Sequence, residues 1–145
     1  MTLAERILAA PSDDEALTEI VRHFGADSGT VHRIADDGHL HLAASSRGMP
    51  EVVLEKIRTI PIGKGMAGLA AELRAPVDAC NIQTDTTGDV RPGARATGLA
   101  GAIVVPIFRG DDVVGTLGIA NQAERTFTPE EIASLLDAGR AMKAR

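Results

Sequence analysis

Residues 101–121 read GAIVVPIFRGDDVVGTLGIAN, and this stretch restricts the fold more tightly than any other. Two apolar runs flank Gly110-Asp111-Asp112, a pattern that predicts an antiparallel hairpin with a three-residue loop. Side chains alternate across a strand, so that loop length sorts the residues onto two faces. One face collects Ile103, Val105, Ile107, Leu117 and Ile119. The other collects Ala102, Val104, Pro106, Thr116, Gly118 and Ala120. A slip of one residue would mix the two sets. The large aliphatics suit packing against helices, while the smaller face leaves room.

Three capping boxes mark helix starts: Thr2 with Glu5, Ser12 with Glu15, and Thr128 with Glu131. Each sets a hydroxyl three residues before a carboxylate, the arrangement that satisfies free amides at a helix start. The first helix stops before Pro11. The second carries Leu17, Ile20, Val21 and Phe24 at helical spacing and ends at Gly25. The third begins with Pro129, where a missing N–H costs nothing, and carries Ile132, Leu135, Leu136 and Met142. Residues 29–35 and 39–45 flank Asp36-Asp37-Gly38, which predicts a second hairpin pairing Ile34 with Leu40 and His32 with Leu42. A short helix over 50–57, a strand over 58–62, a helix over 66–74 and a strand over 76–80 follow. Residues 81–98 have no period and are rich in Thr, Gly and Asp. So long a loop between regular elements is usually functional.

The 145 residues fit one domain. Net charge is −5 with both signs spread along the chain, which disfavours a nucleic-acid face. Three Phe and no Trp or Tyr leave no platform for stacking bases. No stretch approaches the roughly 18 apolar residues of a membrane span, and MTLAERILAAPSDDE turns acidic too early for a secretory signal. One cysteine cannot close an internal disulfide, which agrees with a reducing, cytoplasmic setting.

The order of elements, with IPIGKGMAG, PVDACNIQTD, GLAGAIVVPIFRGDDVVGTLGIAN and FTPEEIASLLDAGRAM, resembles the GAF domain along nearly the whole chain. The resemblance implies an α+β fold: an antiparallel sheet of about five to six strands, helices on one face and a ligand pocket on the other. It also implies a non-catalytic sensing or regulatory role. GAF domains bind cyclic nucleotides, small anions, amino acids, haem or bilins, and commonly dimerise through terminal helices. Most are attached to an output module; none is evident here, so this chain is expected to act alone or through a signalling partner. Which ligand or cofactor it takes is unknown from the residues.

Under that resemblance the expected pocket floor is Ala102, Val104, Thr116, Gly118 and Ala120. Met66, Asn81, Asp85, Arg91 and Thr97 are expected in the roof, and Leu69 is a further candidate wall residue. Gly63-Lys64-Gly65 lacks the spacing of a P-loop and reads as a tight turn into the Met66 helix, whose amides could still attract an anion. Asn81 and Asp85 match positions where GAF sequences often carry Asp; the alternative is that they cap their own loop. Arg91, beside Asp89, could clamp a carboxylate, phosphate or nitrate; the alternative is a solvated surface arginine.

His32, His39 and His41 lie close in sequence, but the hairpin register sets His32 on the opposite face from the other two, which disfavours a metal site. Cys80 follows Ala79 at a strand end, where a buried structural thiol is expected, and Asn81 replaces the histidine of a bilin-linking Cys-His pair. No G-x-S-x-G elbow or Ser/His/Asp relay is present. The enzymatic alternative is free methionine-R-sulfoxide reductase, a stand-alone GAF enzyme whose GKGVCG-like turn carries a cysteine where this chain has Ala67. Its acidic strands, SE-x-V-V-P and LDID, match Gly101-Ala102 and Leu117-Gly118-Ile119-Ala120 here. Sulfoxide chemistry needs an attacking thiolate and a resolving partner, and Cys80 stands outside those positions. A third reading is a ligand-free dimerisation or interaction module, with Leu3 and Ile7 of the first helix as a dimer seam or as cover for their own sheet.

Overall fold

The computed structural model describes residues 1–90, 95 and 97–144. Three of its five helices begin on hydroxyl caps. Thr2 Oγ1 accepts the Glu5 amide at the start of α1 (Leu3–Ala9), and Ser12 Oγ accepts the Glu15 amide at the start of α2 (Asp13–His23), both at 3.1 Å. At α5 (Pro129–Ala144) the box closes in both directions: Thr128 Oγ1 accepts the Glu131 amide at 3.1 Å, and Glu131 Oε1 accepts the Thr128 amide at 3.0 Å. Arg125 also pairs with the Glu131 carboxylate at 2.6 Å.

The strands are β1 (Ser28–Ile34), β2 (Leu40–Ser45), β3 (Thr59–Ile60), β4 (Val77–Ala79), β5 (Gly101–Arg109) and β6 (Asp112–Asn121). They form one antiparallel sheet in the order β3-β2-β1-β6-β5-β4. The first hairpin has the expected register, with Ile34 opposite Leu40 and His32 opposite Leu42. The second differs in detail. Its turn is Gly110-Asp111 alone, with Arg109 opposite Asp112, and a register shift near Val114 absorbs the extra residue. Beyond it Ile107 faces Gly115 and Val104 faces Gly118, the pairs that a three-residue loop would also produce. The two faces are therefore sorted as expected.

The large face is the core. Ile103, Val105, Ile107, Leu117 and Ile119 pack with Ile7 of α1, Leu17 and Ile20 of α2, and Leu135 and Met142 of α5. Each such side chain contributes about 1.5–3 kcal/mol by leaving water. Gly139 lets α5 approach closely, since a Cβ there would sit 3.3 Å from Ile107 Cγ1. Ile7 is fully buried in this cluster and Leu3 packs against it, so both cover their own sheet. Of the two readings of Leu3 and Ile7, this packing favours cover of their own sheet over a dimer seam.

The other two helices, α3 (Glu51–Ile57) and α4 (Gly65–Leu73), border the small face. The strand expected over 58–62 is only Thr59–Ile60, because Pro61 has no N–H to donate to a ladder. The chain then turns sharply: the Lys64 amide donates to the Pro61 carbonyl (3.2 Å) and the Gly63 amide to the Gly68 carbonyl (2.8 Å). Gly68 must lack a side chain, because a Cβ would lie 2.5 Å from the Pro61 carbonyl oxygen. This turn aims the first residues of α4 at the small face of the hairpin.

Candidate functional site

A cavity of about 530 Å³ lies on that face. Its floor is Ala102 and Val104 from β5, Gly118 and Ala120 from β6, and Gly29 and Thr30 from β1. Gly118 gives it depth: a Cβ there would meet Val104 Cγ2 at 3.2 Å and Thr30 Oγ1 at 3.4 Å. Gly65, Met66 and Ala67 form one wall at the start of α4, and Val53, Lys56 and Ile57 of α3 form another. Ile82, Val90, Thr97 and Leu99 cover it from the long loop. Met66, Ala102 and Ala120 belong to one apolar cluster with Ala79 and Ile82, which closes the end of the sheet beside β4.

Charge around the cavity is one-sided. Lys56 and Lys64 line it, and none of the chain's 20 Asp and Glu residues does. Neither lysine's ammonium forms an ion pair or a hydrogen bond with a described residue. Both are exposed, so their ammonium groups stand at the mouth while the aliphatic stems border the interior. Gly65, Met66 and Ala67, the first residues of α4, line the same cavity, and the N-cap residue Lys64 supplies no side-chain cap.

His32 is the buried titratable group. It is 2% exposed, lines the cavity from β1, and its Nε2 lies 2.8 Å from the Ile57 carbonyl. That carbonyl can only accept, so Nε2 carries the hydrogen and donates it. In the neutral ring Nδ1 is then an acceptor, and it has no partner among the described residues. Burial pushes the imidazole pKa below its ordinary value; the bond to Ile57 opposes that shift and His41 adds to it. His39 and His41 lie across the sheet from it, and His41 pairs instead with Asp37 at 2.8 Å. Among the described residues no three His, Cys, Asp or Glu side chains are grouped to hold a metal.

Of the ten residues expected at the site, six line the cavity: Met66, Thr97, Ala102, Val104, Gly118 and Ala120. Arg91 lies outside the described residues. Asn81 and Asp85 do not line it, because both tie their own loop. Asn81 Oδ1 accepts the Gln83 amide (2.9 Å) and its Nδ2 donates to Glu124 (2.9 Å), while Asp85 Oδ2 accepts from the Thr87 hydroxyl (2.6 Å). Thr116 lies on the expected face but outside the cavity; it is 1% exposed and its hydroxyl has no partner among the described residues. Leu69 does not line the cavity either. Cys80 is exposed, contrary to expectation, and the Thr126 hydroxyl lies 3.8 Å from its Sγ.

Sequence reasoning missed Thr30, His32, Lys56 and the latches of the loop. Gln83 Nε2 donates to the carbonyls of Arg95 (3.0 Å) and Leu99 (2.7 Å), and Arg95 donates back to the Asp85 carbonyl (2.8 Å). Thr30 faces Gly118 across β1 and β6, a pairing of distant segments that no local pattern announces.

No curated protein sequence matches the chain significantly. Solved structures resemble it closely in shape. The GAF domain from Acinetobacter phosphoenolpyruvate-protein phosphotransferase is 16% identical, with a TM-score of 0.79 over 98% of this chain and 86% of that one. The corresponding GAF domain from Coxiella burnetii is 22% identical, with a TM-score of 0.77 over 98% of this chain and 86% of that one. Free methionine-R-sulfoxide reductase from Neisseria meningitidis, solved with its substrate, is 16% identical, with a TM-score of 0.76 over 98% of this chain and 82% of that one. Such identities establish the shape alone. The sequence itself matches the GAF domain family over residues 14–140, and with the six-stranded sheet and its arrangement of helices, the chain belongs to that family.

Proposed function

We propose that this chain is a non-catalytic GAF domain that senses a small molecule in the cavity over the β5–β6 hairpin. The observation that carries this reading is the cavity's construction: an apolar floor of small side chains, with few polar groups at the margin. Its volume, about 530 Å³, is in the range of small-molecule sites. A ligand there would touch α3, α4, the 82–99 loop and the central strands together, so binding would tie these segments to one another. That coupling is the means by which occupancy reaches a partner protein or a second copy of the chain, in a setting proposed to be cytoplasmic. No described helix is long and apolar enough to cross a membrane.

The reading is tested by thermal-shift and native mass spectrometric screens on protein purified without denaturation, with Gly118→Leu as the blocked variant. A compound at about a hundred times its Kd adds roughly 2.7 kcal/mol to stability, and the variant should lose that gain. If no compound binds, or if binding survives in Gly118→Leu, the cavity is not the site.

The likeness to methionine sulfoxide reductases supports an enzymatic alternative. Against it, no cysteine lines the cavity among the described residues, and Cys80 is exposed beside Thr126. Turnover of free methionine sulfoxide that disappears in Cys80→Ser would establish that alternative.

A further inference from the structure

We infer that the cavity takes an amphiphilic anion, an aliphatic chain or branched alkyl body ending in a carboxylate, with the head at the mouth between α3 and α4. This rests on the sensing reading and specifies the ligand class. The head position follows from charge. Lys56 and Lys64 are the charged residues of the lining among the described residues, both are exposed, and neither ammonium is paired with a described residue. In a chain with net charge −5, a rim with two cations and no acid is held open to an anion. Gly65 and Met66, which open α4 without a side-chain cap, line the same cavity, and helix-start amides are donors suited to carboxylate oxygens.

The body follows from what the interior lacks. Ala102, Val104, Gly118, Ala120, Met66 and Leu99 offer aliphatic contact and no hydrogen bonds from their side chains. The three Phe of the chain are absent from the lining, and there is no Trp or Tyr, so a flat heterocycle finds no aromatic face to stack on. Beyond Ser28, Thr30, His32 and Thr97 the lining is aliphatic or glycine apart from the rim lysines, so most edge donors and acceptors of a nucleobase would be buried there at an uncompensated cost. An alkyl body buries only carbon and gains from each methylene it places there.

The two halves of the inference have separate signatures in calorimetric titration of the full chain. Sodium octanoate is expected to bind. Hexanoate should bind about fifteenfold more weakly, since each methylene is worth roughly fourfold. The double variant Lys56→Gln with Lys64→Gln should lose roughly tenfold for octanoate, as expected for charge-assisted contacts at an exposed rim, and bind 1-octanol unchanged. Circular dichroism shows whether that variant is folded; should it not be, each single Gln variant carries the same test at about threefold. The inference is overturned if 1-octanol or octylamine binds wild type as tightly as octanoate, if AMP binds more tightly, or if octanoate affinity ignores the lysines. Should octanoate fail while a screened compound binds wild type and not Gly118→Leu, the ligand class is wrong and the sensing reading stands. If nothing binds, both fall.

Discussion

Replacing Thr116 with valine should make this protein more stable. Thr116 is 1% exposed and its Oγ1 has no hydrogen-bond partner among the described residues. Its register explains why. It stands opposite Pro106 on one side, which has no side-chain polar group, and His32 on the other, whose ring makes no hydrogen bond to it. Burying a hydroxyl without a partner costs about 1–3 kcal/mol. Valine has nearly the same shape, suits a strand equally, and puts a methyl where the hydroxyl was. The substitution should therefore recover about 1–3 kcal/mol. For a chain of this length each kcal/mol moves Tm by roughly 2–4 °C. The assay is urea unfolding followed by far-UV circular dichroism, in which the midpoint should rise at constant m. Thr30→Val is the internal control: Thr30 lines the cavity on the same face and is less buried, so its midpoint should barely move. An unchanged or lowered midpoint for Thr116→Val refutes the reasoning, because the hydroxyl would then have a partner in solution and this part of the face would not be dry.

Other outcomes follow from named contacts. The unfolded chain takes up a proton at His32 near the ordinary pKa of 6.5, while the folded chain resists it to lower pH. Stability is thus complete above that value and declines as pH falls from there toward the lowered native pKa; His32→Gln, which keeps a donor for Ile57, should flatten this slope, and a slope that persists assigns it elsewhere. Gly68→Ala should lower stability by about 1–2 kcal/mol and with it the urea midpoint, since overpacking against backbone outweighs the roughly 1 kcal/mol of helix propensity gained; a raised midpoint would mean that the Pro61 turn moves freely. Thr128→Ala removes the α5 cap and should cost about 1 kcal/mol, with no loss meaning that Pro129 and Arg125 alone hold the helix start.

Much of this structure was legible before any coordinates, for physical reasons that differ by region. Helices α1, α2 and α5 are legible because a hydroxyl cap is a local device, satisfied within four residues. The β5–β6 hairpin was legible because its two faces differ in size, so only one register sorts them. The loop length was misread by one residue without consequence, because the bulge near Val114 restores the same pairing. The exposure of Cys80 was readable and missed: Val77 and Ala79 point inward, so a two-residue period turns Asp78 and Cys80 outward. Asn81 and Asp85 were not decidable, since a short polar side chain in a loop serves its own backbone or a visitor equally well. The contributions of Thr30, His32 and Lys56 depend on how β1 lies against β6 and where α3 settles. Those are long-range facts, and nothing in the flanking residues encodes them.

The division of the central hairpin into a large-residue side and a small-residue side has a consequence for how such a protein can change. Ile103, Val105, Ile107, Leu117 and Ile119 anchor the scaffold, while Ala102, Val104, Gly118 and Ala120 border the cavity. Alternate positions of the same two strands thus answer to different selective pressures. Exchanging alanine for valine on one side redraws the space offered to a guest and leaves the helices seated on the other. Recognition can drift through a lineage, or be rewritten by an engineer building a biosensor, without reopening the question of whether the chain folds.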